Sequence, residues 1–304
     1  MSLFRAVNEW DPLHTVVVGT AQSMGGTPPV DEAYDPKSKE HILAGTFPSE
    51  ANCIKELDGL AALLERHDIQ VLRPHVLQDL NQLFARDVGV VIDERLVVTR
   101  MIADRAAEWN GIAPLLSDVA ESLLLTPPRG VRIEGGDVMP MNGEIWVGYS
   151  PAEDFDIFTT SRTNEAALDW LSDQYPDWNV RGFELTKSDH DPRANALHLD
   201  CCLSLLSGGH AIFHAAGLKQ ERDRDFIRQS FDGQLLEVDA DQMYDMQCNL
   251  ISISPGDVVS CPTFEAVNDQ LQSWGYRVHT TPLQETAKME GLLRCVTLPL
   301  FRQA

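Results

Sequence analysis

Val88-Gly-Val-Val-Ile-Asp-Glu-Arg-Leu-Val-Val-Thr-Arg100 places two short apolar runs on either side of the polar turn Asp93-Glu-Arg95. Runs this short, rich in Val, Ile and Leu and separated by so few residues, predict an antiparallel strand pair. The same reading applies to Ile145-Trp-Val-Gly148 after the turn Asn142-Gly143. Further runs are Thr15–Gly19, Cys201–Leu206, Leu250–Ser254 and Val296–Leu300. Helical patterns lie between them. Ile54, Leu57, Leu60, Ala61 and Leu64 share one helical face. Similar stretches start near Ala103, Asn164, Leu218 and Thr263, so helix starts recur at a spacing of roughly 45–60 residues. One helix with several short strands, repeated at that spacing, predicts an internally repeated module, and five such modules around an axis make an α/β propeller. A single domain spanning 1–304 is expected. The competing fold is a doubly wound parallel sheet. Against it, no Gly-x-Gly-x-x-Gly follows the first strand, and the short turns make antiparallel neighbours.

The chain has 304 residues, enough for a sizeable core. Lys and Arg number 24 against 46 Asp and Glu, for a net charge of −22. Such a surface repels nucleic acid and anionic membranes, which are excluded as partners, and attracts a small cation. Solubility alone would also account for the acidity. No apolar run reaches the roughly 18 residues of a membrane span. The stretch from Met1 to Trp10 lacks a signal-peptide core. The six cysteines form no Cys-x-x-Cys pair, and a reduced, cytoplasmic protein is expected. The histidines match no metal-ligand spacing, so neither a metal nor a cofactor is expected. A homodimer is kept as an option. The loop-like stretches Gly25–Ser38, Ser150–Thr160 and Lys187–Arg193 are candidates for lids or binding loops.

Four segments carry the polar chemistry: Phe84-Ala-Arg-Asp87, Glu134-Gly-Gly-Asp137, His198-Leu-Asp200 and Lys288-Met-Glu-Gly-Leu-Leu-Arg-Cys295. Cys295, after a Glu-Gly turn at the mouth of an apolar strand, is the candidate nucleophile; the alternative is a buried structural cysteine. Its neighbour Arg294 either lowers the thiol pKa or faces solvent. Strand alternation would put His198 and Asp200 on one face, suited to acid–base work or merely to a surface ion pair. Glu134 and Asp137 flank two glycines that let the backbone turn sharply or approach a ligand; an ordinary acidic turn is the alternative. Arg86-Asp87 is otherwise a solvated ion pair, and Cys201-Cys202 is read as structural. Taken together, a thiol, a histidine and several carboxylates suit attack on a guanidinium. Carboxylates grip its NH groups, a thiolate attacks its carbon, and an acid–base protonates the departing amine.

In this order the four segments resemble the guanidine-modifying superfamily, the penteins, which includes arginine deiminases, dimethylarginine dimethylaminohydrolases and amidinotransferases. The resemblance runs from about Asn8 to Phe301. It implies a five-bladed α/β propeller with pseudo-fivefold repeated ββαβ-type modules, and chemistry through a thiouronium intermediate on cysteine. Carried over, Cys295 is the nucleophile and His198 the general acid–base. Asp87 and Asp200 grip the guanidinium, and Glu134 supports both guanidinium and histidine. Ser161-Arg-Thr-Asn164 resembles the segment that supplies a carboxylate-binding arginine, here Arg162. Arg105 stands where a second is expected, and Asn81 matches an asparagine holding the substrate's amino-acid end.

Features of several branches mix. Asn8-Glu-Trp-Asp-Pro-Leu13 resembles the amidinotransferases. Glu134-Gly-Gly-Asp137 and Arg294–Leu300 resemble arginine deiminase. Tyr244, Cys248 and Lys288–Gly291 resemble the dimethylarginine hydrolases. Asp200 argues against a methylated substrate, because an N-methyl leaves a buried carboxylate partly unpaired. Deiminases carry an arginine five residues before the cysteine, where this chain has Glu290, a residue able to face a substrate amine. The expectation is a cysteine hydrolase of the guanidino group of arginine or a near relative, giving a ureido product. The alternatives are an amidinotransferase using the same residues and a non-catalytic binding protein.

Overall fold

The computed structural model describes residues 3–303. Its strands form five separate three-stranded sheets, each with the same topology. The first module contains β1 (Leu13–Val18), helices α1 (Pro36–Leu43) and α2 (Glu50–Glu65), and β2 (Gln70–Leu72). The second contains α3 (Ala85–Val88), β3 (Gly89–Ile92), β4 (Arg95–Val98), α4 (Trp109–Ile112) and β5 (Leu124–Leu125). The third contains β6 (Val138–Met141), β7 (Glu144–Tyr149), α5 (Ala166–Gln174) and β8 (Asn179–Glu184). The fourth contains α6 (Leu199–Cys202), β9 (Leu203–Leu205), β10 (Ala211–Phe213), α7 (Glu221–Ser230) and β11 (Leu235–Glu237). The fifth contains α8 (Ala240–Tyr244), β12 (Ile251–Ser254), β13 (Asp257–Ser260), α9 (Glu265–Ser273) and β14 (Arg277–Thr280). The last strand, β15 (Thr297–Arg302), returns to pair antiparallel with β1 and completes the first sheet.

Every middle strand has an antiparallel neighbour on one side and, beyond a helical crossover, a parallel neighbour on the other. This is a repeated ββαβ unit, and the single doubly wound sheet is ruled out. The turn chemistry fixes the hairpins. Met141 pairs with Glu144 across Asn142-Gly143, whose φ angles of 47° and 94° are those a two-residue primed turn demands. Asp93 performs the same service at φ 54°.

The core lies between modules. Val91 and Leu96 pack with Val17 and Leu298, joining the second sheet to the first. Val90 and Val97 join it to Val138 and Val147 of the third. Met139 and Trp146 meet Leu203 and Phe213 of the fourth. The largest cluster links Ile212 through Ile251 and Val258 to Val16 and the inner face of α2, so apolar contact runs from the last module back to the first. Ser49 caps α2, which buries Leu57, Leu60, Ala61 and Leu64 as the spacing predicts, with Cys53 rather than Ile54 fully buried.

Three local expectations are corrected. The segment near Ala103 is not one helix: 3-10 turns Ala103–Glu108 and Ala113–Leu116 bracket the single turn α4, because Pro114 breaks the ladder of bonds. Val88 belongs to α3 rather than to the strand. Cys201 and Cys202 are helical, and the strand begins only at Leu203. No helix among the described residues is long and apolar enough to cross a membrane.

Candidate active site

The polar segments occupy one recurrent place in the fold. In each module a short turn runs directly into the strand that begins the antiparallel pair. Asp87 precedes β3, Glu134 and Asp137 precede β6, His198 and Asp200 precede β9, Asn249 precedes β12 and Cys295 precedes β15. The turns interlock. Arg86 N donates to Cys295 O at 3.0 Å, Leu199 N to Asp137 Oδ1 at 3.0 Å, and Asn249 Nδ2 to Asp200 O at 3.0 Å. Local sequence permits the close approach. A Cβ on Gly136 would stand 2.8 Å from the His198 ring and from Asp87 Oδ1.

A cavity of about 900 Å³ opens above these turns, lined by Cys295, His198, Asp87, Asn81, Arg105, Arg162 and Glu290. Glu134 and Asp200 are fully buried behind them. The expected lids are partly in place. Gly25 to Ser38 and the aromatic side chains of Phe155 and Phe158 wall the cavity. The third loop props the second, since Asp189 accepts from the amides of Thr159 and Thr160.

His198 is the N-cap of α6, and a helical turn, not strand alternation, sets its relation to Asp200. Its Nε2 lies 2.8 Å from Glu134 Oε2 and its Nδ1 3.6 Å from Asp87 Oδ1. Burial opposes charge on this ring, but the carboxylates of Asp87, Asp137 and Glu134 outweigh it and lift the pKa to about 9. The imidazolium is therefore the resting form at neutral pH. Burial works against the Glu134 charge too. Arg162 and His198 overcome it and hold the carboxyl below its usual range.

Cys295 Sγ lies 3.6 and 3.7 Å from the Asp200 oxygens and accepts from Asn249 Nδ2 at 3.1 Å. Burial, then the carboxylates of Asp200 and Asp87, push the thiol pKa well up. Arg294 does lower it, as expected of a neighbouring cation, but only as a minor influence. The side chain is buried rather than solvent-facing. It donates to Asp200 Oδ2 at 2.8 Å and to both oxygens of Glu9 at 3.0 and 3.2 Å.

The expected carboxylate-binding arginines are engaged by the protein's own acids. Arg105 donates to Asp87 Oδ2 at 2.7 Å and to both oxygens of Glu108 at 2.7 and 2.9 Å. Arg162 reaches Glu134 at 3.3 Å and the Tyr34 carbonyl at 3.0 Å. Asn81 accepts from Leu83 N and turns its amide towards the Met289 sulfur. Asp87, Glu134 and His198 bring their ligand atoms within 4.8 Å of one another. The two guanidinium groups and the imidazolium already match those carboxylates, so the donor set suits protons and cationic nitrogen better than a metal ion. All six cysteines are buried and free.

Asn249, Glu9, Glu108 and Asn195 went unread in the sequence. Asn249 alone carried a signal, its position directly before a strand in the place where the other modules hold Asp87, Asp137 and Cys295.

Residues 45–302 match the family model described as N,N dimethylarginine dimethylhydrolase, eukaryotic, and the chain belongs to that family within the guanidine-modifying pentein superfamily. It is 28% identical over 245 residues to the protein YkgA of Bacillus subtilis (strain 168), covering 80% of this chain and 78% of that one. It is 24% identical over 262 residues to an arginine deiminase of Listeria monocytogenes, covering 73% of this chain but 62% of that enzyme. Among solved structures, the inosamine-phosphate amidinotransferase StrB1 of Streptomyces griseus superposes with a TM-score of 0.78 at 19% identity, over 100% of this chain and 98% of that one. The N-terminal domain of the cyanobacterial arginine dihydrolase ArgZ does so with a TM-score of 0.78 at 17% identity, over 96% and 98%. At those identities the likeness is one of fold.

Proposed function

We propose that the chain is a cysteine-dependent hydrolase of the guanidino group of arginine or a related compound, its five modules standing as blades of an α/β propeller around the reaction site. The observation that carries the reading is the convergence of Cys295, the His198–Glu134 pair and Asp87 at the base of one cavity, with Asp200 behind the sulfur. Asp87 Oδ1 is buried with no partner closer than His198 Nδ1 at 3.6 Å, which leaves it able to accept a substrate NH. The thiol is protonated while the site holds only its own carboxylates. An incoming guanidinium offsets the charge of Asp87 and Asp200, and the thiol gives its proton up to solvent as the substrate enters.

The thiolate then attacks the guanidinium carbon, and the C–S bond forms. His198 gives its proton to the departing nitrogen, and ammonia leaves with the electrons of the C–N bond. The cysteine is left as a thiouronium. Neutral His198 next takes a proton from water as the oxygen adds to the same carbon. The C–S bond breaks as the hydroxyl of this adduct passes its proton to the departing sulfur, and a ureido product and the thiol remain.

The family description names N,N-dimethylarginine. Asp200, facing the sulfur, favours free NH groups over methylated ones, so an unmethylated guanidine is the preferred substrate. A second reading is amidino transfer from arginine to an amine. A cavity of about 900 Å³ leaves room for an acceptor beside the donor. Incubation with arginine, with and without candidate amines, separates the two: hydrolysis yields citrulline in water alone, and transfer yields ornithine only when an amine is present. Cys295→Ala abolishes either reaction while melting like the parent. Full turnover by that variant sinks the mechanism.

A further inference from the structure

The cavity holds a second cluster of polar groups that the chemistry above does not use. Glu290 caps the turn Thr286–Met289 in the left-handed region at φ 59°, a conformation that costs a non-glycine residue energy. This backbone aims a carboxylate that is only 5% exposed into the same cavity as Cys295. Its Oε1 accepts from Asn195 Nδ2 at 2.6 Å, while its Oε2 is buried with no donor at all. A second buried carboxyl, that of Asp35, lines the same cavity, and its charge acts on Glu290. Asp35 is itself fixed, since its Oδ1 caps α1 by accepting from Ser38 N at 2.7 Å. Two buried carboxyls in the lining of one cavity repel unless a cation offsets their charge. Burial, then Asp35, pushes the Glu290 carboxyl well above its usual range, and Lys37 only partly opposes this. The nearby Lys37 ammonium is directed elsewhere, onto the Tyr244 carbonyl and over its ring at 4.3 Å.

The rest of the cavity points the same way. Of its buried arginines, Arg105 is matched by Asp87 and Glu108, and Arg162 is held by Glu134 and the Tyr34 carbonyl, with only its Nε lacking a partner. Asp31, Glu32, Asp79 and Asp104 surround the entrance and are exposed. An anionic group would have to pass them to reach Arg132 and Lys39.

We propose that Glu290 and Asp35 together bind an ammonium group at the far end of the substrate, so that the enzyme takes guanidino compounds with a distal amine and does not require a carboxylate. The ammonium supplies the donor that Glu290 Oε2 lacks and donates to both carboxylates, as charge-assisted bonds in a buried site favour. The proposal rests on the guanidine reading given above and names its substrate class.

The test compares guanidinobutylamine, arginine and guanidinobutanoate on the full chain, with products identified and Cys295 adducts sought by mass spectrometry. Guanidinobutanoate, which has the same reach without the ammonium, falls about 100-fold or more in kcat/KM below guanidinobutylamine, mostly through KM. Arginine, carrying both groups, is accepted. Glu290→Gln keeps the Asn195 contact, and Asp35→Asn keeps a competent helix cap. Each variant raises KM for guanidinobutylamine about tenfold or more and narrows its advantage over guanidinobutanoate. Equal processing of guanidinobutanoate, or an unchanged preference in both variants, overturns the proposal and leaves the guanidine chemistry standing. Absence of product and of adduct with all three compounds defeats the guanidine reading itself and this proposal with it.

Discussion

Asn249 grips Cys295 from two sides: its Nδ2 donates to Sγ at 3.1 Å, and its Oδ1 accepts the Cys295 amide at 3.2 Å and the Arg294 amide at 2.9 Å. The same Nδ2 also reaches the Asp200 carbonyl at 3.0 Å. One side chain thus orients the sulfur, closes the turn that carries it and ties that turn to the neighbouring module. Asn249→Ala leaves two buried amides unpaired, which costs on the order of 1–3 kcal/mol each in the worst case. It also frees the thiol to rotate. The expected result is a kcat loss of about 10- to 100-fold with a lowered Tm. Retention of wild-type kcat would show that the turn positions the sulfur without it.

The resting imidazolium predicts the pH profile. A pKa raised to about 9 by Asp87, Asp137 and Glu134 means that His198 can donate its proton throughout the neutral range. The acid form is lost as pH rises, so turnover declines on an alkaline limb centred near pH 9. The stability contribution has the same sign. The charged ring is favoured in the folded state relative to a free value of 6.5, so its stabilisation is complete below about pH 6.5 and vanishes as pH rises through about 9. His198→Gln removes both the alkaline limb and most of the activity. An alkaline limb that survives in residual turnover of this variant assigns the titration to another group.

Gly136 gives a test of packing at the site. Its added Cβ would meet the His198 ring and Asp87 Oδ1 at 2.8 Å, closer than such contacts occur. Gly136→Ala must therefore move the acid–base, the carboxylate or the turn. The expected loss in kcat is about tenfold or more, because misplacement of about 1 Å at a reacting group is enough to cause a large fall in rate. Wild-type kinetics in this variant would mean that the turn yields without disturbing His198.

The sequence carried the scaffold better than the connections. Asp93 and Asn142-Gly143 announce hairpins because primed turns need residues that tolerate positive φ, and helix α2 announces itself by its buried face. Glu134, His198 and Cys295 could be read because glycines, a strand entrance or a recognisable order surrounded them. Asn249 stands alone between Cys248 and Leu250, and only the register of the module reveals its place. The helical turn at Leu199–Cys202 escaped because Cys-Cys-Leu-Ser-Leu-Leu has the composition of a strand, and the amide of Leu199 is instead taken by Asp137 from the preceding module. Arg105 looked available because nothing local showed that Asp87, eighteen residues earlier, and Glu108 would both claim it.

The contact between Glu9 and Arg294, spanning 285 positions, gives the last prediction. Burial disfavours the Glu9 charge, but Arg294 and Arg86 more than offset this and hold its pKa at about 2, against 4.5 when free. Its stabilising effect is therefore complete above about pH 4.5 and is lost as pH falls through about 2. Glu9→Gln leaves the buried guanidinium groups of Arg86, Arg294 and Arg302 short of a countercharge. Burial already pulls Arg86 down to about 9 and Arg302 to about 10. Removing one partner of a buried ion pair costs about 3–5 kcal/mol, so denaturant melts should show a loss of that order at pH 7. The difference from the parent should shrink as pH drops below 4.5. Arg294, released on one side, should then bind Asp200 less rigidly, and kcat should fall with stability. Unchanged stability at neutral pH would show that water or a backbone carbonyl replaces Glu9 at no cost.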